Sequence, residues 1–110
     1  MISKNQRISK NQISWLLKKS RKASDDFFSI KFQLNKKDFS RYSIVISKKV
    51  LRLATARNKL RRQCYEIVRQ LNQPSKSIDL VIFLRPAATK LTYQELKKQL
   101  TTSINKINFP

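Results

Sequence analysis

The sequence predicts a small single-domain α+β sandwich, in which a central, mainly antiparallel sheet packs against about three helices in the order α-β-β-(β)-α-β-α. Three observations lead to it. Apolar residues alternate at period two from Phe28 to Leu34 and again from Tyr42 to Ile46; the segment 57–72 repeats its apolar residues at helical spacing; and Thr92 with Glu95 forms a capping box ahead of another helical pattern. The 110 residues include no glycine and three prolines, so no flexible linker divides them. Residues 1–110 therefore read as one domain, with about residues 1–8 a basic, mobile arm.

The elements follow in chain order. Ser9 with Gln12 fits a capping box, so a first helix begins near Ser9 or Asn11, gathers Ile13, Leu16 and Leu17 on one face with Trp15 off it, and continues into Lys18, Lys19, Arg21 and Lys22. Phe28, Ile30, Phe32 and Leu34 alternate with Ser29, Lys31 and Gln33, the pattern of a strand with one wet face. A charged turn over 35–40 leads to a second strand through Tyr42, Ile44 and Ile46, and a hairpin is the simplest pairing of the two. In the helix 57–72, Leu60, Cys64, Ile67, Val68 and Leu71 fall within about 100° of arc. The stretch 72–76, with Pro74, closes it. Ile78 to Arg85 then forms a short strand buried on both faces and ended by Pro86, and Tyr93, Leu96, Leu100 and Ile104 line one face of the last helix.

Composition removes several functions. Without histidine there is no His-dependent triad or imidazole shuttle, and the lone Cys64 forms neither an intramolecular disulfide nor a cysteine-rich zinc site. The carboxylates are scattered or, at Asp25 and Asp26, merely adjacent, so no catalytic residue and no metal site is assigned to the protein. The longest apolar run, Leu80 to Leu84, is far short of the ~20 residues that cross a bilayer, and residues 1–20 lack a signal-peptide core; an intracellular, cytoplasmic protein without a membrane partner is expected. Against 6 acidic residues stand 25 basic ones, a net charge of +19. Such a surplus repels itself and points to a polyanionic partner.

The basic residues concentrate in one place. RNKLRR, from Arg57 to Arg62, holds four cations and an amide, and the preceding loop carries Lys48, Lys49 and Arg52. On the predicted helix, Asn58, Arg62, Tyr65 and Arg69 form one stripe opposite the apolar side, flanked by Lys59 and Arg61. A charge run is ordinarily a solvated face, which interleaves signs to gain i,i+4 pairs. Here Glu66 is the only acid between Asp38 and Asp79, so the stripe fits phosphate contact better.

SKKVLRLATARNKLRRQCYEIVRQL resembles the signature segment of the bacterial ribonuclease P protein subunit, a Ser-Lys-Lys element followed by a helix that opens Arg-Asn-Arg-x-Lys-Arg-x-x-Arg. Ser47, Lys48, Lys49, Arg57, Asn58 and Arg62 match directly, and Lys59 and Arg61 match by charge; Tyr65 stands where the family usually has Arg, and the loop 50–56 lacks a frequent glycine. RPAATKLTYQELKKQL resembles the family's Arg-Pro-Ala and Leu-Thr-Tyr-x-Glu segment. The resemblance implies a left-handed βαβ crossover into the signature helix. It also implies an RNA-dependent endonuclease: a catalytic RNA subunit uses Mg²⁺ to remove the 5′ leader of precursor tRNA, and the protein binds that RNA and the leader.

The resemblance assigns RNA binding to Lys48, Lys49, Arg57, Asn58, Lys59, Arg61 and Arg62, and the charge of the loop and the helix stripe adds Arg52, Tyr65 and Arg69. It also implies a leader cleft between the first helix and the sheet, for which the register offers Ile13 and Leu17 with Phe28, Ile30, Lys31 and Phe32. For Ile13, Leu17, Phe28 and Phe32, plain core is an equal alternative. Tyr93 and Leu96 read as core, and Cys64 as an inert small hydrophobe. The partners implied are the catalytic RNA and precursor tRNA, with no obligate protein partner and no protein-bound cofactor. The competing function is a basic ribosomal or nucleoid protein that binds nucleic acid without an enzymatic role.

Overall fold

A computed structural model describes residues 21–34, 40–71 and 78–106. The expected first helix, with Ile13 and Leu17, lies outside the described residues. The elements are strands β1 (Arg21–Ser24), β2 (Phe28–Leu34), β3 (Arg41–Val45) and β4 (Ile78–Leu84), helices α1 (Ala54–Gln70) and α2 (Tyr93–Asn105), and a 3-10 turn at Pro86–Lys90. They form an α+β unit with one four-stranded sheet in the order β1-β2-β4-β3.

The pairing corrects two expectations. The segment from Arg21 is a strand rather than the tail of a helix, and it makes the hairpin with β2 that had been expected of β2 and β3. A side-chain turn explains this. The Asp25 carboxylate accepts from the backbone N–H groups of Phe27 and Phe28, both at 2.8 Å, and the Asp25 amide donates to the Phe28 carbonyl at 2.9 Å. An aspartate thus replaces the glycine a tight hairpin usually recruits. β3 lies beyond β4 and runs parallel to it, while β2 and β4 are antiparallel. β4 takes the central position because Ile78–Leu84 is apolar on both faces, with Val81 as fully buried as Leu80 and Ile82. A parallel β3–β4 pair needs a long crossover, and α1 supplies it.

Register sorts the sheet into two faces. Phe28, Ile30 and Phe32 stand opposite Leu84, Ile82 and Leu80, with Tyr42 and Ile44 beyond them. This face packs with Cys64, Ile67 and Val68 of α1 and with Leu96 and Leu100 of α2 into the main core. Each such side chain contributes about 1.5–3 kcal/mol when fully buried. The other face presents Ser29, Lys31, Arg41, Ser43, Val45, Asp79, Val81 and Phe83.

Local signals set the helix ends. α2 begins with the expected capping box: the Thr92 hydroxyl accepts from the Glu95 amide at 3.2 Å, and the Glu95 carboxylate accepts from the Thr92 amide at 2.9 Å. α1 starts three residues earlier than its apolar period suggested, because Ala54, Thr55 and Ala56 already close its first turn, with the Arg57 amide donating to the Leu53 carbonyl at 2.9 Å. Near its far end α2 is tied to the hairpin, where the buried Ser103 hydroxyl donates to the Asp25 carboxylate. Although burial pushes the Asp25 carboxyl up, the hydrogen bonds from Ser103, Phe27 and Phe28 hold it below its ordinary value.

Candidate nucleic-acid interface

Helix α1 turns Cys64, Ile67 and Val68 inward, and its opposite side looks outward. Of the sequence-predicted RNA-binding residues, Lys48, Lys49, Arg52, Asn58, Lys59, Arg62 and Arg69 are exposed, whereas Arg57, Arg61 and Tyr65 are half-buried. Lys48 and Lys49 occupy a turn in which the amides of Val50 and Leu51 both donate to the Ser47 carbonyl at 3.1 Å. Val50 and Leu51 then pack against the core and anchor the loop from beneath.

Arg57 has a scaffold role. Its Nη1 donates to the carbonyls of Leu51 at 2.9 Å and Arg52 at 2.7 Å, so the guanidinium ties the crossover loop to the first turn of α1. The wheel contains the reason: Arg57 stands seven residues before Cys64 and therefore heads the apolar side, not the outer stripe. This spacing was readable in the sequence, but the charge of RNKLRR masked it.

Tyr65 also leaves the outer stripe. Its hydroxyl accepts from the Ile44 amide at 3.1 Å, and its ring packs against the core. Because β3 is an edge strand, that amide points away from β4, and the phenol satisfies a donor the sheet itself cannot. An Arg at this position would need a different arrangement, since a guanidinium has no acceptor.

The outer residues are organised among themselves. The Asn58 carbonyl oxygen accepts from Arg61 Nη1 at 2.8 Å. Arg69 forms an ion pair with Glu66 one turn earlier, and the Arg69 bond holds the exposed Glu66 carboxyl down to about 2. Exposed pairs of this kind contribute little, so a phosphate can replace Glu66 on Arg69 at small cost.

The cleft residues on β2 divide. Phe28, Ile30 and Phe32 are 0, 2 and 6% exposed and face the helices, so they are core and offer no surface to a nucleotide. Alternation places Lys31 on the opposite face, with Val81 directly across and Val45 and Phe83 nearby. A cross-strand pair lies farther along this face: Arg41 donates to Asp79 through Nε at 2.9 Å and Nη2 at 2.6 Å. Tyr93, expected in the core, is instead 40% exposed at the start of α2, where Leu96 and Leu100 take the buried positions.

Three other carboxylates also have structural partners: Asp25 in the hairpin turn, Glu66 with Arg69, and Glu95 in the cap. Burial in the core pushes the Cys64 thiol up to about 12, which leaves it protonated and unreactive at neutral pH. Among the described residues no helix is long and apolar enough to cross a membrane.

Comparison with known proteins agrees with this arrangement. The family model for ribonuclease P matches residues 2–108. The ribonuclease P protein component of Legionella pneumophila (strain Corby) is 30% identical over 100 residues, which span 91% of this chain and 86% of that protein. Among solved structures, a Staphylococcus aureus RNase P protein mutant with defective mRNA degradation activity superposes with a TM-score of 0.84 at 27% identity, over 93% of this chain and 87% of that one. The Thermotoga maritima RNase P protein shares the fold with a TM-score of 0.80 at 24% identity, over 93% and 97% of the two chains.

Proposed function

The chain belongs to the ribonuclease P protein family and serves tRNA processing as the protein component of that endoribonuclease; on this premise we propose that α1 and its preceding loop dock on the catalytic RNA subunit, while the Lys31 side chain, on the other side of the sheet, contacts the 5′ leader of precursor tRNA. The observation that carries the reading is the outward face of α1. It presents Asn58, Lys59, Arg62 and Arg69 with Glu66 as the only acid of the helix, on a chain of net charge +19. Guanidinium groups and an amide at these spacings match phosphate and sugar acceptors along an RNA backbone. The separation of Lys31 from α1 by the thickness of the sheet supports two distinct RNA contacts.

Mg²⁺ is held through one or two carboxylates with phosphates and water. Of the described carboxylates, those of Asp25, Asp79, Glu66 and Glu95 are each bound to partners within the fold and Asp26 is a single exposed carboxylate, so together they do not fit a protein-held Mg²⁺. We therefore assign the ion and the cleavage step to the RNA subunit, and to the protein a reduction of the repulsion between two polyanions, in the cytoplasm where precursor tRNA is processed. Processing of precursor tRNA, measured over a Mg²⁺ series with protein alone, RNA alone and both, tests this. Protein alone should not cleave, and its addition should shift the RNA's Mg²⁺ requirement downward; cleavage by rigorously RNA-free protein would overturn the assignment.

A further inference from the structure

The seam between α1 and the first turn of α2 is open to solvent. Lys59, Arg62, Gln63 and Glu66 line one side of an open groove there, Tyr93 lines the other, and the space between them is about 370 Å³. The four α1 residues stand at i, i+3, i+4 and i+7, so they form one helical stripe with both cations toward its N-terminal end. Glu66, at the other end, is held by Arg69 and Gln70. Tyr93 is the exposed large aromatic among the described residues, the other exposed large apolar side chain being Leu53.

An exposed ring beside two cations and an amide suits one ligand chemistry. We propose that this groove binds a single unpaired nucleotide of the catalytic RNA subunit, its base stacked on Tyr93 and its phosphate held by Lys59 and Arg62. The proposal rests on the docking of α1 assigned above and gives that interface an aromatic contact. The Gln63 amide has both a donor and an acceptor for a base edge. The groove opens beside the outward face of α1, on the opposite side of the sheet from Lys31, which commits it to the RNA subunit rather than to the leader.

Equilibrium binding of the full chain to the RNA subunit, with 2′-hydroxyl acylation of the RNA in each complex, tests the proposal. Tyr93→Leu should weaken affinity by about five- to a hundredfold without changing the salt slope, whereas Tyr93→Phe should stay within about twofold of wild type. One nucleotide protected by the wild type and by Tyr93→Phe should become reactive with Tyr93→Leu. Ultraviolet cross-linking of the wild-type complex needs no variant and should join RNA to the peptide containing Tyr93. Wild-type affinity and footprint for a folded Tyr93→Leu chain overturn the proposal, as does a cross-linked complex without that peptide. A loss confined to binding of precursor tRNA by the assembled complex overturns the RNA subunit as source. If the wild type itself does not bind the RNA subunit, the docking reading fails with it; if it binds and Arg62→Ala flattens its salt dependence while Tyr93→Leu changes nothing, only the stacking site is lost.

Discussion

The two sides of α1 use the same residue types for opposite purposes. Arg57 and Arg62 are five residues apart in one basic run, yet Arg57 is half-buried and spends its guanidinium on two loop carbonyls, while Arg62 is exposed and lines the groove beside Tyr93. Tyr65 and Tyr93 divide the same way, one holding an edge-strand amide and the other facing solvent. The difference teaches that a signature motif is not uniformly a contact surface. Part of it builds the shape that presents the rest, and angular position on the helix decides which residue does which.

The largest expected effect comes from the inward side. Ile67 is fully buried between helix and sheet, so Ile67→Ala should cost about 2–5 kcal/mol through the cavity it leaves. Urea unfolding measures this, and the affinity of the remaining folded fraction for RNA should equal that of the wild type. An altered affinity would show that the two sides are coupled through the helix.

Arg57→Ala comes next, because it lies between the two sides. Losing its bonds to the Leu51 and Arg52 carbonyls should cost about 1–3 kcal/mol and should also weaken RNA binding, since Lys48, Lys49 and Arg52 ride on the loop it holds. Arg57→Lys keeps the charge but not the planar guanidinium that fixes Nη1 against both carbonyls, so it should recover little of either loss. Full recovery by Lys would make Arg57 an ordinary surface cation and remove the distinction.

Tyr65→Phe isolates a single hydrogen bond. Its stability cost should be about 0.5–1.5 kcal/mol, with faster hydrogen exchange at the Ile44 amide and unchanged RNA affinity. A loss of affinity without a loss of stability would return Tyr65 to the RNA-contact stripe.

How much of this was legible depended on whether the signal was local. β2, the capping box of α2 and the apolar side of α1 are short-range periodicities, and all three appear as expected. The partner of β2 is not a local property: alternation at Tyr42, Ile44 and Ile46 suits a hairpin as well as a parallel edge, and only the two-faced apolarity of β4 settles which strand takes the centre. β1 was hidden because four residues, Arg21–Ser24, are too short to establish a period, and its turn depends on the Asp25 side chain. In the candidate site, residue identity was more legible than orientation. The basic motif marked the cations of α1, and the spacing of Arg57 from Cys64 already set it on the apolar side, whereas the bonds of Arg57 and Tyr65 required the carbonyls and the amide that their side chains reach. Phe28, Ile30 and Phe32 lie on the helix-covered face because their register partners are Leu84, Ile82 and Leu80.

The smallest expected effect separates orientation from charge on the outward side. Asn58 has no charge of its own, but its carbonyl oxygen holds Arg61 at 2.8 Å. Asn58→Ala therefore leaves every cation in place and releases one of them. The bond between them is exposed, so stability should stay within about 0.5 kcal/mol of wild type. RNA affinity should fall by a few-fold at every salt concentration, because Arg61 must be ordered at the moment of binding and the amide's own contact is lost. Arg62→Ala is the comparison: it removes a phosphate partner, so the slope of log affinity against log salt should flatten by about one unit. Lys98→Ala, an exposed cation of α2 outside the groove, controls for bulk charge. Parallel salt titrations of the three variants decide the matter. If Asn58→Ala flattens the slope as Arg62→Ala does, Arg61 makes its phosphate contact only when Asn58 orients it, and the outward face is a preorganised surface rather than a set of independent charges.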